Sequence, residues 1–120
     1  MVSNNFNNQK VYLATFTTSI CDGMHLKKLI ELMQKAFSSL KSGSRWTSFT
    51  ASIGYFLDFK VVEFQWYPDK GFSCHIHDLI LTLKVIDRLK SEQKLFSMWD
   101  NVCKRVGLPP LSSAYSVDLI

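Results

Sequence analysis

The sequence is short of several features that would place it in a particular class of protein. Its 120 residues include only three cysteines, an odd and widely spaced set that excludes a dense disulfide framework. No apolar run approaches the roughly 20 residues of a membrane span. The first ten residues are polar and asparagine-rich, unlike a signal peptide. We therefore expect a soluble protein in a reducing cytoplasm, with no membrane partner.

The composition is that of an ordinary globular protein rather than a disordered one. Hydrophobic residues make up 47% of the chain and charged residues 20%, which is enough to build a core. The formal net charge of +4 is a mild bias towards an anionic partner such as nucleic acid. We expect residues 1–9 to form a flexible polar tail and residues 10–120 to form one domain.

The most informative feature present is a pair of histidines separated by one hydrophobic residue, His75-Ile76-His77. Residues 72–83 have the alternating, β-branched character of a strand, in which residues i and i+2 point to the same face. Both imidazoles therefore leave one face together, as two nitrogen ligands of a divalent metal ion require. A single histidine on a strand is more often solvated or hydrogen-bonded, so the pair is what favours a metal site.

Glu63 is a third candidate ligand on the preceding predicted strand. The turn-forming segment 67–71 joins the two strands into a hairpin. If Tyr67 pairs with Gly71, Glu63 lies opposite His75, and a shift by two residues would put it opposite His77. A slip by one residue would send it to the other face. Two imidazoles and one carboxylate would leave open positions for a substrate oxygen. The set therefore predicts metal-assisted phosphodiester chemistry.

The rest of the chain predicts an α+β fold with the element order β-α-β-β-α-β. The predicted elements are a strand at 10–18, a helix capped by Asp22 and ending near Lys41, strand-like chain at 46–66 with a kink at Gly54, the second strand of the hairpin, a helix from Ser91 to Gly107, and a strand at 115–120. This order is that of the split βαβ fold of ferredoxin-like and RRM-like domains, an antiparallel sheet with helices on one face. The histidines are expected on the other, open face.

Several segments resemble the rolling-circle replication initiators (Rep proteins) of plasmids and viruses, in the His-hydrophobe-His endonuclease superfamily. The first is a strand of alternating hydrophobic residues and threonines at 13–18. The others are Glu63, the glycine, aromatic and His-x-His of 71–79, the tryptophan-bearing helix of 95–108, and the strand at 117–119. The resemblance spans residues 10–120.

The resemblance implies a metal-dependent nickase and strand transferase that acts on single-stranded or origin DNA. In that family the ion, usually Mg²⁺ or Mn²⁺, polarises the scissile phosphate, and Zn²⁺ also suits histidine ligands. A tyrosine attacks the phosphorus, becomes joined to the 5′ end and releases a 3′ hydroxyl that primes replication. The ligands carried over are His75, His77 and Glu63. A homodimer is left open as a further interaction.

The nucleophile departs from the family pattern. The family carries it as Tyr-x-x-Lys or as a two-tyrosine variant on a helix beyond the last strand, and this chain has no such motif. Tyr115 is the only tyrosine near the C-terminus, so it is the candidate catalytic residue. The simpler interpretation is an initiator whose nucleophile is truncated away, and a tyrosine supplied by another chain would also restore the chemistry. Whether the chain is an enzyme stays open.

Basic and aromatic residues add candidate DNA contacts. Four basic residues flank the predicted sheet, where they would hold DNA phosphates: Arg45, Lys60, Lys70 and Lys84. The aromatics Phe56, Trp66 and Phe72 would stack on unpaired bases, although core packing is the commoner role. Two other functions remain open. One is a non-catalytic single-stranded nucleic-acid-binding module. The other is a domain with a structural zinc, which is weakened by the lack of a fourth ligand.

Overall fold

The computed structural model describes residues 10–111 and 116–120, apart from the side chains of residues 55–57. Within this part of the chain, four strands and three helices follow one another. They are β1 (Lys10–Thr17), α1 (Leu26–Ser42), α2 (Ser44–Ile53), β2 (Tyr55–Tyr67), β3 (Gly71–Thr82), α3 (Arg88–Val106) and β4 (Val117–Leu119). The predicted tail at 1–9 and the candidate nucleophile Tyr115 lie outside the described residues.

The strands form an antiparallel sheet in the order β2-β3-β1-β4. This is the order of the split βαβ fold, so the predicted α+β class with an antiparallel sheet is confirmed. Alternation along β1 and β3 separates two faces. Even-numbered residues such as Phe16 and Ile76 are buried, whereas the odd-numbered histidines are only partly buried. We call these the covered face and the open face.

All three helices contribute to one core on the covered face. Their buried apolar residues include Leu29, Met33 and Phe37 of α1, Trp46, Phe49 and Ile53 of α2, and Leu95, Trp99 and Val102 of α3. The ring of Phe16 meets Phe37 and Trp99 at centroid distances of 5.9 and 5.4 Å. The indole Nε1 of Trp99 also donates to the carbonyl of Thr17 at 3.1 Å. The end of β1 is therefore fixed to α3.

The prediction that residues 46–66 are strand-like is wrong for its first part, because Ser44–Ile53 forms α2. Aromatic and β-branched residues suggested a strand, but Trp46, Phe49 and Ile53 are buried at helical spacing. The hydroxyl of Thr50 donates to the carbonyl of Trp46 at 3.0 Å, a hydrogen bond to the residue four positions earlier that is typical of threonine in a helix. Burial of one helical stripe outweighed β propensity. Gly54 ends the helix with φ +66°, at the predicted kink.

The predicted starts of the other helices are displaced by a few residues. Asp22 does not cap α1, which begins at Leu26, because Gly23 adopts φ +71° and turns the chain first. Helix α3 begins at Arg88 rather than at Ser91. Its cap is Asp87, whose carboxylate accepts from the amide of Lys90 at 3.1 Å. Neither difference alters the sheet.

Candidate metal centre

The β2–β3 hairpin has the predicted register, with Tyr67 paired to Gly71 and Glu63 paired to His75. Gly71 begins β3 at φ +127°, a conformation that L side chains rarely adopt. A Cβ atom there would lie 2.5 Å from the carbonyl oxygen of Cys21. Glycine is therefore required where the segment after β1 passes beside the hairpin. This close approach fixes the strands on which the candidate ligands stand.

His75 and His77 leave the open face side by side. Their rings lie 11° from parallel with centroids 6.3 Å apart. That separation is close to the spacing of about 6.8 Å between residues i and i+2 of a strand. The carboxylate Oε1 of Glu63 lies 3.6 Å from Nε2 of His77, and both side chains are accessible, at 62% and 34%. The three predicted ligands are therefore neighbours on one accessible surface.

Two threonines of β1 hold the inner nitrogens of these rings. Thr15 is opposite His77 and Thr17 is opposite His75 in the β1–β3 pairing. The Thr15 Oγ1 lies 3.2 Å from Nδ1 of His77, and the Thr17 Oγ1 lies 3.0 Å from Nδ1 of His75. The sequence argument missed this role. The shared spacing of two residues was a signal, but the β1–β3 register that pairs the residues was not predictable.

The donor set suits a divalent ion in its chemistry, but its side chains are too spread out to hold one as they stand. Within the described ranges, no group of three or more His, Cys, Asp or Glu side chains surrounds one point that would hold an ion. Binding would require the accessible side chains of Glu63 and His77 to rotate until donor-to-ion distances fall to about 2.0–2.2 Å. The sheet therefore places the candidate ligands on one face, and an ion would bind only after their side chains rotate towards one another.

The open face is locally acidic, although the whole chain is basic. Asp118 of β4 pairs with Thr15 and is exposed. Among the described open-face positions of the four strands, the charged side chains are those of Glu63 and Asp118. The two carboxylates stand on opposite edge strands, three strand spacings or about 14 Å apart, so a phosphate over the histidines would meet mainly the repulsion of Glu63. A cation at the histidines would offset that repulsion.

The four predicted phosphate contacts do not come together around the histidines. Arg45 lies at the start of α2, in the helix layer. The ammonium of Lys60 lies 5.0 Å from the ring centroid of Phe37, on the covered face. Lys70 is in the hairpin turn, and Lys84 follows the end of β3. Arg45 and Lys60 therefore lie on the side of the sheet opposite to the candidate ligands. DNA contact by the four residues stays a prediction.

Two of the predicted stacking aromatics contact each other. Trp66 and Phe72 pair across the hairpin with ring centroids 4.7 Å apart, and Trp66 is 56% exposed. Their even numbers place them on the covered side, near the hairpin end. The side chain of Phe56 lies outside the described residues.

Neither of the tyrosines with a described side chain is beside the histidines. Tyr12 is on the covered face, and its hydroxyl accepts a hydrogen bond from the amide of Ile86 at 3.1 Å. Tyr67 shares the open face with Glu63 but stands four residues farther along β2, about 13 Å away. Tyr115 keeps its role as the candidate nucleophile only as a prediction.

A second polar cluster lies on the covered face, and the sequence argument did not find it. The ammonium of Lys41 donates to Asp78 at 2.8 Å and also contacts Asp58. Asp78 is fully buried. Its pKa is raised to about 7, first by burial and then by the carboxyl of Asp58, while Lys41 lowers it. Cys74 also faces the core, and burial raises its thiol pKa to about 12.

No model of a known protein family, no curated protein and no solved structure matches this chain. The described helices include none that combines the length and apolar character needed to cross a bilayer. The functional argument therefore rests on the geometry of the open face and on the residues that build it.

Proposed function

We propose that this chain is an initiator-type endonuclease domain that nicks single-stranded DNA with a divalent ion bound by His75, His77 and Glu63. One observation carries the proposal. The three side chains lie on one accessible face, with Glu63 paired to His75 across the hairpin and close to His77. Two imidazoles and a carboxylate with open positions suit Mg²⁺ or Mn²⁺, and Zn²⁺ is a further candidate.

The charges of the open face support the need for an ion. When bound, the ion would neutralise the scissile phosphate and polarise its P–O bond. The chain itself supplies the platform. Residues of β3 present the two imidazoles, and β2 presents the carboxylate of Glu63, on a face where these side chains are accessible. Without a cation, mainly the carboxylate of Glu63 would disfavour an approaching phosphate.

The proposal takes Tyr115 as the nucleophile because it is the only tyrosine near the C-terminus. Of the tyrosines with described side chains, Tyr12 is engaged on the covered face and Tyr67 is remote from Glu63. The tyrosine oxygen would lose its proton and form a bond to phosphorus. The bond between phosphorus and the 3′ oxygen would break, and that oxygen would take up a proton. The 5′ phosphate would stay joined to the tyrosine, which conserves the bond for later strand transfer.

The test is cleavage of a labelled pool of single-stranded oligonucleotides with Mn²⁺, analysed on denaturing gels for nicks and covalent adducts. His75→Ala and Tyr115→Phe should each abolish both the nick and the adduct. The matched control is His25→Ala, which removes the exposed histidine that precedes α1. The control should cleave as the wild type does. Cleavage that persists in His75→Ala would contradict the proposal.

A second candidate function is a non-catalytic module that binds single-stranded nucleic acid. It is favoured by one observation: the described tyrosine side chains, those of Tyr12 and Tyr67, are not beside the histidines. Metal-dependent DNA binding without cleavage, lost in His75→Ala, would select this function over the nickase. Loss of nicking in Tyr115→Phe would select the nickase.

A further inference from the structure

We propose that Thr15 and Thr17 are positioning residues that hold His77 and His75 with Nε2 turned towards a bound ion. This inference rests on the proposed metal site and deepens it. Each threonine oxygen contacts Nδ1 of the histidine opposite it, at 3.2 and 3.0 Å. The two pairs repeat the same geometry at neighbouring positions of one strand pair, which also accounts for the nearly parallel rings.

The chemistry of imidazole explains why a partner at Nδ1 matters. A neutral imidazole that binds an ion through the lone pair of Nε2 carries its proton on Nδ1. That proton needs an acceptor, and a threonine oxygen supplies one. The partner fixes both the tautomer and the orientation of the ring. Thr15 and Thr17 therefore favour the ligand form of both histidines in the same way.

A hydroxyl differs from the carboxylate or carbonyl partners that serve many metal-bound histidines, because it both donates and accepts. The carboxylate of Glu63 lies 3.6 Å from Nε2 of His77. The Thr15 hydroxyl can donate to Nδ1 when that nitrogen is bare and can accept from it when it carries the proton. With an ion at Nε2, the Nδ1–H would donate to the threonine oxygen. The hydroxyl would therefore be a partner of Nδ1 in either tautomer.

The backbone that carries these hydroxyls is hydrogen-bonded to α3 and to β3. The carbonyl of Thr17 accepts from the buried indole of Trp99 at 3.1 Å. The next residue, Thr18, donates its amide to the carbonyl of Cys74 at 2.9 Å, and its Oγ1 accepts from the amide of Cys74. The threonine oxygens therefore stand on a strand end that is anchored to α3 and β3, which favours a precise orientation of the two histidine rings.

The test compares Thr15→Val and Thr17→Val with the wild type, since valine keeps the branched shape and strand propensity but removes the hydroxyl. Mn²⁺ affinity is measured from the signal of free Mn²⁺ in electron paramagnetic resonance. Each variant should bind about 10-fold more weakly, the range for loss of such a partner. Serine at either position should restore affinity to within about threefold. In the metal-free protein, the ¹⁵N chemical shifts of the histidine rings should change in the valine variants but not in the serine variants.

The matched control is Thr47→Val on α2, which removes a hydroxyl that donates to the carbonyl of Gly43, the residue before this helix. Its Mn²⁺ affinity should equal that of the wild type. Wild-type affinity and unchanged ring shifts in Thr15→Val and Thr17→Val would overturn the positioning role while leaving the proposed function standing. A wild-type protein that binds no Mn²⁺ would overturn the proposed function itself, and with it this inference, before any variant is compared.

Discussion

The two faces of β3 carry polar clusters of opposite kinds. On the covered face, Asp78 is fully buried, and the ammonium of Lys41 compensates its charge. On the open face, His75 and His77 are accessible, and their Nδ1 atoms are held by neutral hydroxyls. A buried ion pair is needed by the fold, because removing one partner leaves an uncompensated charge. The accessible histidines compensate no buried charge, and we therefore propose that the open face, rather than the covered face, carries the function.

Replacing Lys41 should have the largest effect on stability. Lys41→Met keeps the length of the side chain but leaves Asp78 buried without its cation. At pH 8 the free energy of unfolding should fall by about 3 to 5 kcal/mol, measured by urea denaturation. Lys104→Met, which breaks a surface pair with Asp100, should cost no more than about 0.5 kcal/mol. Equal losses in the two variants would remove the distinction between the faces.

Replacing Gly71 should come next, because it affects both faces together. Gly71→Ala places a Cβ against the carbonyl of Cys21 and forces alanine to φ +127°. We expect a loss of about 2 to 3 kcal/mol, together with weaker Mn²⁺ binding. Gly107→Ala is the control, since its φ is +90° but its Cβ would meet no atom within 4 Å. The control should lose less stability and keep its Mn²⁺ affinity.

The pH dependence of stability should report the covered face. Asp78 faces Lys41 of α1 and both Asp58 and Lys60 of β2. Its raised pKa means that the native protein keeps a proton between about pH 4 and 7 that the unfolded chain has released. Stability should therefore fall as the pH rises through this window. Asp78→Asn should flatten the decline measured by thermal unfolding, and an unchanged slope would contradict the assignment.

The smallest effect on stability should come from the open face. His77→Ala should change the free energy of unfolding by less than about 1 kcal/mol, because the side chain is accessible and supports no core contact. The same variant should lose at least about tenfold in Mn²⁺ affinity. Denaturation and Mn²⁺ titration of one sample measure both. A large loss of stability without a loss of affinity would make His77 a structural residue.

The hairpin was predictable because its information is local. The turn at 67–71 and the strand alternation suggested the pairing of Tyr67 with Gly71, which the structure has and which places Glu63 opposite His75. Contacts between distant segments were not predictable. The pairing of Thr17 with His75 depends on the β1–β3 register, and the contact of Lys41 with Asp78 depends on how α1 packs. Helix α2 was missed because the burial of Trp46 and its neighbours outweighed their strand propensity.

The most direct test of the metal site is a Mn²⁺ titration of the wild-type protein, followed by the ring signals of its three histidines in NMR spectra. Bound Mn²⁺ broadens the signals of nearby nuclei. The proposal predicts that His75 and His77 broaden together at low Mn²⁺, while His25, which precedes α1, broadens less. Broadening of all three alike, or of none, would contradict a metal site on the open face.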